Sequence, residues 1–308
     1  MAIELSNLTF TNQDDIVPAS GVDQILNTAT TNTLAGNDII NGESGNSIPG
    51  VGVPTPRGGI VNTGTLNTNS GNDILTGIFN DQNTNFFAGF GIYNVGGTID
   101  AGDGNDIISG IVQIDRRAVG IYYQEGNINT GDGDDVITGI APRNAGISGG
   151  LNGIINTGQG DDVITGISPS GIGIDFGVGD AASVDTGDGD DIITGVGIIG
   201  ILNYAIVKTG NGKDSIIADG GFLGTGSVFL ENGKDYLKGF GSGNFNGGNG
   251  QDTLELTSGS YTVGISGTTV SFTNNSMIMD TSEFEILYAG NTTYNFASLT
   301  NGQTIFVA

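Results

Sequence analysis

The sequence predicts an all-β chain: a parallel β-solenoid, of the β-roll or β-helix kind, whose coils shorten toward the C-terminus and which carries a β cap at each end. Three observations lead there. One short phrase, an aspartate preceded by glycines and followed by an apolar pair, returns nine times. The interval between its copies falls from 35 residues to 17. The stretches between copies are short, rich in β-branched residues and bounded by glycine, so each reads as a strand and none as an amphipathic helix. A repeat of this length cannot bury a core alone and must stack on its neighbours.

The repeated aspartates are Asp38, Asp73, Asp106, Asp135, Asp162, Asp191, Asp214, Asp235 and Asp252, with a weaker copy around Asp15. After each comes an apolar pair, often followed by threonine and glycine, as in Val136-Ile137-Thr138-Gly139 and Ile192-Ile193-Thr194-Gly195. A second apolar segment follows a variable loop (89–95, 118–124, 145–151, 171–177), and a third leads into the next phrase (98–100, 127–130, 154–157, 183–186). Early coils therefore have three short sides, and the last ones have room for two. Stacked at about 4.8 Å, nine or ten coils make a tapered rod about 45 Å long. Residues 1–30 form an N-terminal cap, 31–255 the repeat and 256–308 a C-terminal β cap, where the strands alternate in the ordinary way; all belong to one continuous domain.

Composition narrows the chemistry. The chain has 308 residues, 57 of them glycine, and neither histidine nor cysteine. Disulfides, thiolate nucleophiles, imidazole bases and zinc sites of the usual kind are thereby excluded. A formal charge of -25 argues against nucleic acid and anionic membrane surfaces as partners, and for cations. No apolar run approaches the ~20 residues of a membrane helix, so no membrane insertion is expected. The start, MAIELSNLTFTNQDDIV, lacks the features of a cleaved secretory leader.

The phrase resembles the glycine-rich nonapeptide of the repeats-in-toxin, or hemolysin-type, calcium-binding family, G-G-x-G-x-D-x-U-x with U a large apolar residue. Gly247-Gly248-Asn249-Gly250-Gln251-Asp252-Thr253-Leu254-Glu255 fits it throughout. Thr130-Gly131-Asp132-Gly133-Asp134-Asp135-Val136-Ile137 is typical of the rest, and the C-terminal wording is similar to tails of cyanobacterial members. The resemblance implies Ca²⁺ held between consecutive turns by the nine aspartates and by backbone carbonyls. It also implies type I export read from an uncleaved C-terminal segment, hence a secreted or cell-surface protein. Here one phrase occurs per coil instead of two, which predicts a single calcium column along one edge.

Elementary electrostatics points the same way. Stacking sets like-charged carboxylates at about 5 Å intervals, where repulsion is costly unless a cation intervenes. Calcium suits such a site better than magnesium, which keeps its waters. Nine turns leave eight gaps, and filling all of them would bring the charge from -25 to -9. Lys213 and Lys234 stand where Asp134, Asp161 and Asp190 stand in the middle coils, and either replace a cation or point to solvent. Leu34 occupies a glycine position. A metal-free alternative makes the aspartates Asx-type corners that accept from nearby main-chain N–H groups.

The expected role is structural, at the cell surface or in an extracellular matrix, with head-to-tail self-association into fibrils and no catalysis. The alternative is a calcium-dependent enzyme or binder of acidic polysaccharide, with Arg116, Arg117 and Arg143 beside Tyr122 and Tyr123. Gly146-Ile147-Ser148-Gly149-Gly150 spells a nucleophile elbow, but no histidine exists to serve it. Threonines recur at two coil positions, 138/165/194 and 130/157/186/209. They read as stacks bonding along the rod, and less well as a flat ice-binding array.

Overall fold

The computed structural model describes residues 2–18, 24–44, 57–81, 89–114 and 117–308. The apolar pair after each aspartate forms the first face of the solenoid. Its strands include Ile39–Ser44, Ile74–Phe79, Ile107–Val112 and Val136–Ile140, each paired in parallel with the same positions one coil away. The second apolar segment gives a second face (Gly58–Asn62, Phe90–Asn94, Ala118–Tyr122, Asn144–Ser148). The third segment gives a third face (Thr65–Asn67, Thr98–Asp100, Asn127–Asn129, Ile154–Asn156). Val163–Asp175 and Ile192–Asn203 run through the first two faces as single long strands. The second face ends at Phe222–Gly224, leaving two-sided coils beyond it.

Period-2 alternation places one column of apolar side chains inside each face. Leu75, Ile108, Ile137, Ile164, Ile193, Ile216, Leu237 and Leu254 lie in register on the first, all buried. Ile60, Ile92, Ile121, Ile147 and Ile174 line the second, and Leu66, Ile99, Ile128, Ile155 and Val184 the third. Each such side chain contributes about 1.5–3 kcal/mol on burial, as an upper estimate.

Glycine sets the shape of the wider coils. A Cβ on Gly77 would stand 2.2 Å from the carbonyl oxygen of Gly91, and one on Gly139 would stand 2.2 Å from that of Gly146. The same contact recurs at Gly42/Gly59, Gly110/Gly120, Gly166/Gly173 and Gly195/Gly200. The first and second faces therefore meet backbone to backbone along a glycine waist. Beyond it Phe79, Val112, Ile114, Ala118 and Ala141 make a second, smaller core where the first-face strands end and the second-face strands begin. Arg57 and Asp81, both buried, form an ion pair at the wide end.

The ends continue these faces. Ile3–Glu4 pairs with Ile25–Asn27 and covers the end of the second face, while Ile16–Val17 starts the first. At the other end Met277–Ser282 and Ile286–Ala289 add parallel strands to the third and first faces. An antiparallel hairpin, Gly259–Ser266 with Thr269–Asn274, and the terminal strand Thr304–Val307 pack beside them.

Candidate cation site

Between the third face and the next first face the chain turns through two left-handed positions separated by one residue. In the middle coils both are glycine: Gly131 and Gly133 have φ of +98° and +144°, Gly158 and Gly160 +102° and +128°. A side chain would be strained there. It would also collide, since a Cβ on Gly131 or Gly133 would lie 1.9 or 2.0 Å from the carbonyl oxygens of Gly102 or Gly104 in the preceding coil. Leu34, Asn69 and Glu231 take the same left-handed conformation at the first position, with φ of +75°, +69° and +66°.

This turn delivers its aspartate to the inside. All nine predicted aspartates form one column along one edge, each no more than 1% exposed. The Oδ1 of each accepts the main-chain N–H of the aspartate one coil earlier, at 2.6–2.9 Å. The carboxylates are thus not local corners; their bonds span 17 to 35 residues and tie coil to coil. The Oδ2 of each is buried and has no hydrogen-bond partner. Thr33, Thr68, Thr130, Thr157, Thr186 and Thr209 flank the column, and each directs its hydroxyl proton to a carbonyl of the following coil. Each hydroxyl also lies near enough to the carboxyl of its own turn to offset part of that carboxyl's pKa rise. That burial also removes this threonine stack from any surface array.

Such carboxyls resist ionisation on their own. Burial, with repulsion from neighbouring carboxylates, raises Asp106 to about 8, and Asp162, Asp191, Asp214 and Asp235 to about 7. Asp135 and Asp252 rise to about 6, and Asp38 and Asp73 rise also, all chiefly through burial. A second set of acceptors lies in the same turns. The carbonyls of Gly36, Gly71, Gly104, Gly133, Gly160 and Gly189 point at the following coil and accept no hydrogen bond among the described residues.

The edge therefore holds more oxygen acceptors than donors, and its carboxylate Oδ2 atoms are out of contact with water. A hard cation fits this excess: it takes carboxylate and carbonyl oxygens together, and calcium accepts six to eight in variable geometry. Among the described residues no three acidic side chains converge on one point, so carbonyls would have to complete each set of ligands. Lys213 and Lys234 are exposed and lie outside the column.

Two members of the ladder have weaker sequence signals. Asp15 donates its N–H to Asp38, while its own carboxylate accepts from Thr11 N–H and closes the series. Glu285 accepts the Asp252 N–H through Oε2 at 2.8 Å, taking the place of a tenth aspartate. Its signal was an acid before the apolar Ile286-Leu287, displaced by the hairpin inserted ahead of it.

The other candidate residues occupy different settings. Arg116 lies outside the described residues. Arg117 and Arg143 are exposed, Tyr123 is fully buried, and Tyr122 stacks on Phe90 on the outer surface. Ser148 sits within a strand and donates to Asp175.

No family model and no curated protein matches this chain. Among solved structures, it is similar to a hyperactive, Ca²⁺-dependent, β-helical antifreeze protein from an Antarctic bacterium. That likeness has 18% identity and a TM-score of 0.40, and covers 83% of this chain and 77% of the other.

Proposed function

We propose that this chain is a calcium-binding β-solenoid with a structural role at the cell surface or in an extracellular matrix. The observation that carries the reading is the column of nine buried Oδ2 atoms without partners, six of them in turns whose glycine carbonyl also accepts no hydrogen bond among the described residues. Calcium would supply positive charge between coils, which main-chain N–H groups already committed elsewhere do not. The aspartates would hold it with one oxygen and keep the neighbouring coil with the other.

Folding would then depend on the cation. Without it the column repels itself or must take up protons, and with it the coils lock. Extracellular modules bind calcium at ~10⁻⁴–10⁻³ M, and a site at tenfold saturation adds about 1.4 kcal/mol. Several such sites would separate an unfolded chain in low calcium from a folded rod outside the cell, which suits type I export. Stacking of rods head to tail would extend the structure into fibrils. The chain's lack of histidine and cysteine favours a non-catalytic role.

Far-UV circular dichroism on chelator-treated protein, titrated with calcium and then magnesium, tests this. The expected result is a cooperative gain of β-signal with calcium between micromolar and millimolar levels, and little with magnesium. A full β-signal in chelator that neither ion changes would overturn the calcium reading. Light scattering in the same titration reads self-association.

A further inference from the structure

The residue before each column aspartate is exposed, and it changes type along the rod. Counting the weaker copy at Asp15, it is Asp14, Asn37, Asn72, Asn105, Asp134, Asp161 and Asp190 in successive coils, then Lys213, Lys234 and Gln251. The first seven do the same thing. Each side-chain Oδ1 accepts the N–H of its counterpart in the following coil, at 2.8–3.0 Å. These bonds run toward the C-terminus, whereas those of the buried aspartates run toward the N-terminus.

The consequence falls on the glycine between them. In a parallel ladder that N–H would go to the main-chain carbonyl of the preceding coil. The second coil of such a pair begins the pattern, since Gly133 N–H bonds Gln159 C=O at 2.7 Å. The next donor, Asp161 N–H, then goes to the Asp134 side chain and leaves Gly133 C=O without a partner. An exposed Asn or Asp thus releases a carbonyl into the turn.

Lysine cannot accept a hydrogen bond. From Lys213 onward the main chain resumes its own pairing: Asn211–Gly212, Asn232–Gly233 and Asn249–Gly250 form a three-stranded parallel ladder. Asn232 N–H bonds Gly210 C=O and Asn249 N–H bonds Glu231 C=O. Gly212 pairs with Gly233, and Gly233 with Gly250, in that ladder, whereas in the middle coils the pairing stops at the residue before the glycine, as at Asp132, Gln159 and Asp188. At Gly233 the turn also tightens: the Asp235 carboxylate lies 2.6 Å from where a Cβ would stand, whereas at Gly250, as at Gly104, Gly133, Gly160 and Gly189, only the preceding main chain comes within 3.0 Å. At the opposite end, the carbonyl of Gln13 takes the Thr11 hydroxyl.

We propose that divalent cations occupy the six gaps between Asp38 and Asp214, where Gly36, Gly71, Gly104, Gly133, Gly160 and Gly189 offer a free carbonyl, and that the two gaps from Asp214 to Asp252 take none. The exposed Asn and Asp residues are positioning residues: they free a ligand without touching the ion. This inference rests on the calcium reading and divides its eight gaps by sequence.

The test is native mass spectrometry of the full chain with calcium, after passage over a chelating resin to strip weakly held ions. Six tightly held ions are expected. Eight would overturn this inference and leave the calcium reading standing; none would overturn both. Lys213→Asn restores an acceptor, so the count should rise to seven, and Lys213→Asn with Lys234→Asn should reach eight. An unchanged count in these mild variants would overturn the inference. Asp161→Lys should lower the count by one, whereas Asp132→Lys, the same charge change at an exposed residue outside this series, should leave it at six.

Discussion

Each wide coil is closed at two places, and the two closures use opposite chemistry. At the glycine waist the first and second faces touch backbone to backbone, and every contact is made from within the chain. At the turn edge, bond for bond, side-chain oxygens have taken the N–H groups, leaving carboxylate and carbonyl oxygens without a partner among the described residues. The waist is complete as the chain is written; on the proposed calcium reading the turn edge is completed by the ion. One repeat would then build both a ligand-independent spine and a ligand-dependent lock.

The largest effect should come from breaking the waist. A Cβ on Gly139 would lie 2.2 Å from Gly146 O and 2.5 Å from Ile147 Cγ1, the first of which is rigid main chain. Gly139→Ala should cost about 3 kcal/mol or more, in the range of severe overpacking. The comparison makes a sharper demand: the loss should be similar in calcium and in chelator. Thermal unfolding of the variant in both conditions checks it, and a loss confined to calcium would mean that the waist, too, depends on the cation.

The turn edge should respond to pH, and in opposite senses with and without calcium. In chelator the column carboxyls have raised folded pKa values, from 3.8 to about 6–8 for the seven from Asp106 to Asp252, with Asp106 highest. The folded state then binds more protons than the unfolded one, so stability present below about pH 4 is lost as pH rises through 6 to 8. In saturating calcium the ionised carboxylates are the ligands, and stability should rise over the same interval. Unfolding midpoints at pH 5, 6, 7 and 8 in each condition check the sign; parallel curves would count against metal at these carboxylates.

Much of this was legible in the sequence because it is local. The nine aspartates, the apolar pairs after them and the shortening interval lie within single phrases, and each phrase alone places its turn and strand. What could not be read depends on partners a coil away. Asp135 reads as a corner or as a ligand until its bond to Asp106 N–H, 29 residues distant, fixes one oxygen and isolates the other. Gly139 and Gly146 each look like ordinary strand glycines, and only the approach of the two faces makes them a waist. Lys213 reads as a change of charge, whereas its effect runs through the hydrogen bond that it cannot accept.

The smallest effect probes whether the turn edge also imposes its backbone conformation. Leu34 holds φ at +75° although its side chain is 42% exposed and fills no core. A left-handed non-glycine residue costs about 1–2 kcal/mol, so relief of that strain favours glycine. Glycine also returns entropy to the unfolded chain, which opposes part of the gain. Leu34→Gly should therefore raise stability by about 0.5–1 kcal/mol, a shift that calorimetry can resolve. The gain should be larger in calcium if the coil's cation tightens the turn, and equal in both conditions if the stack alone dictates the left-handed backbone. A loss would mean that the Leu34 side chain makes a contact worth more than the strain, and that the wide end is held as the waist is, by packing.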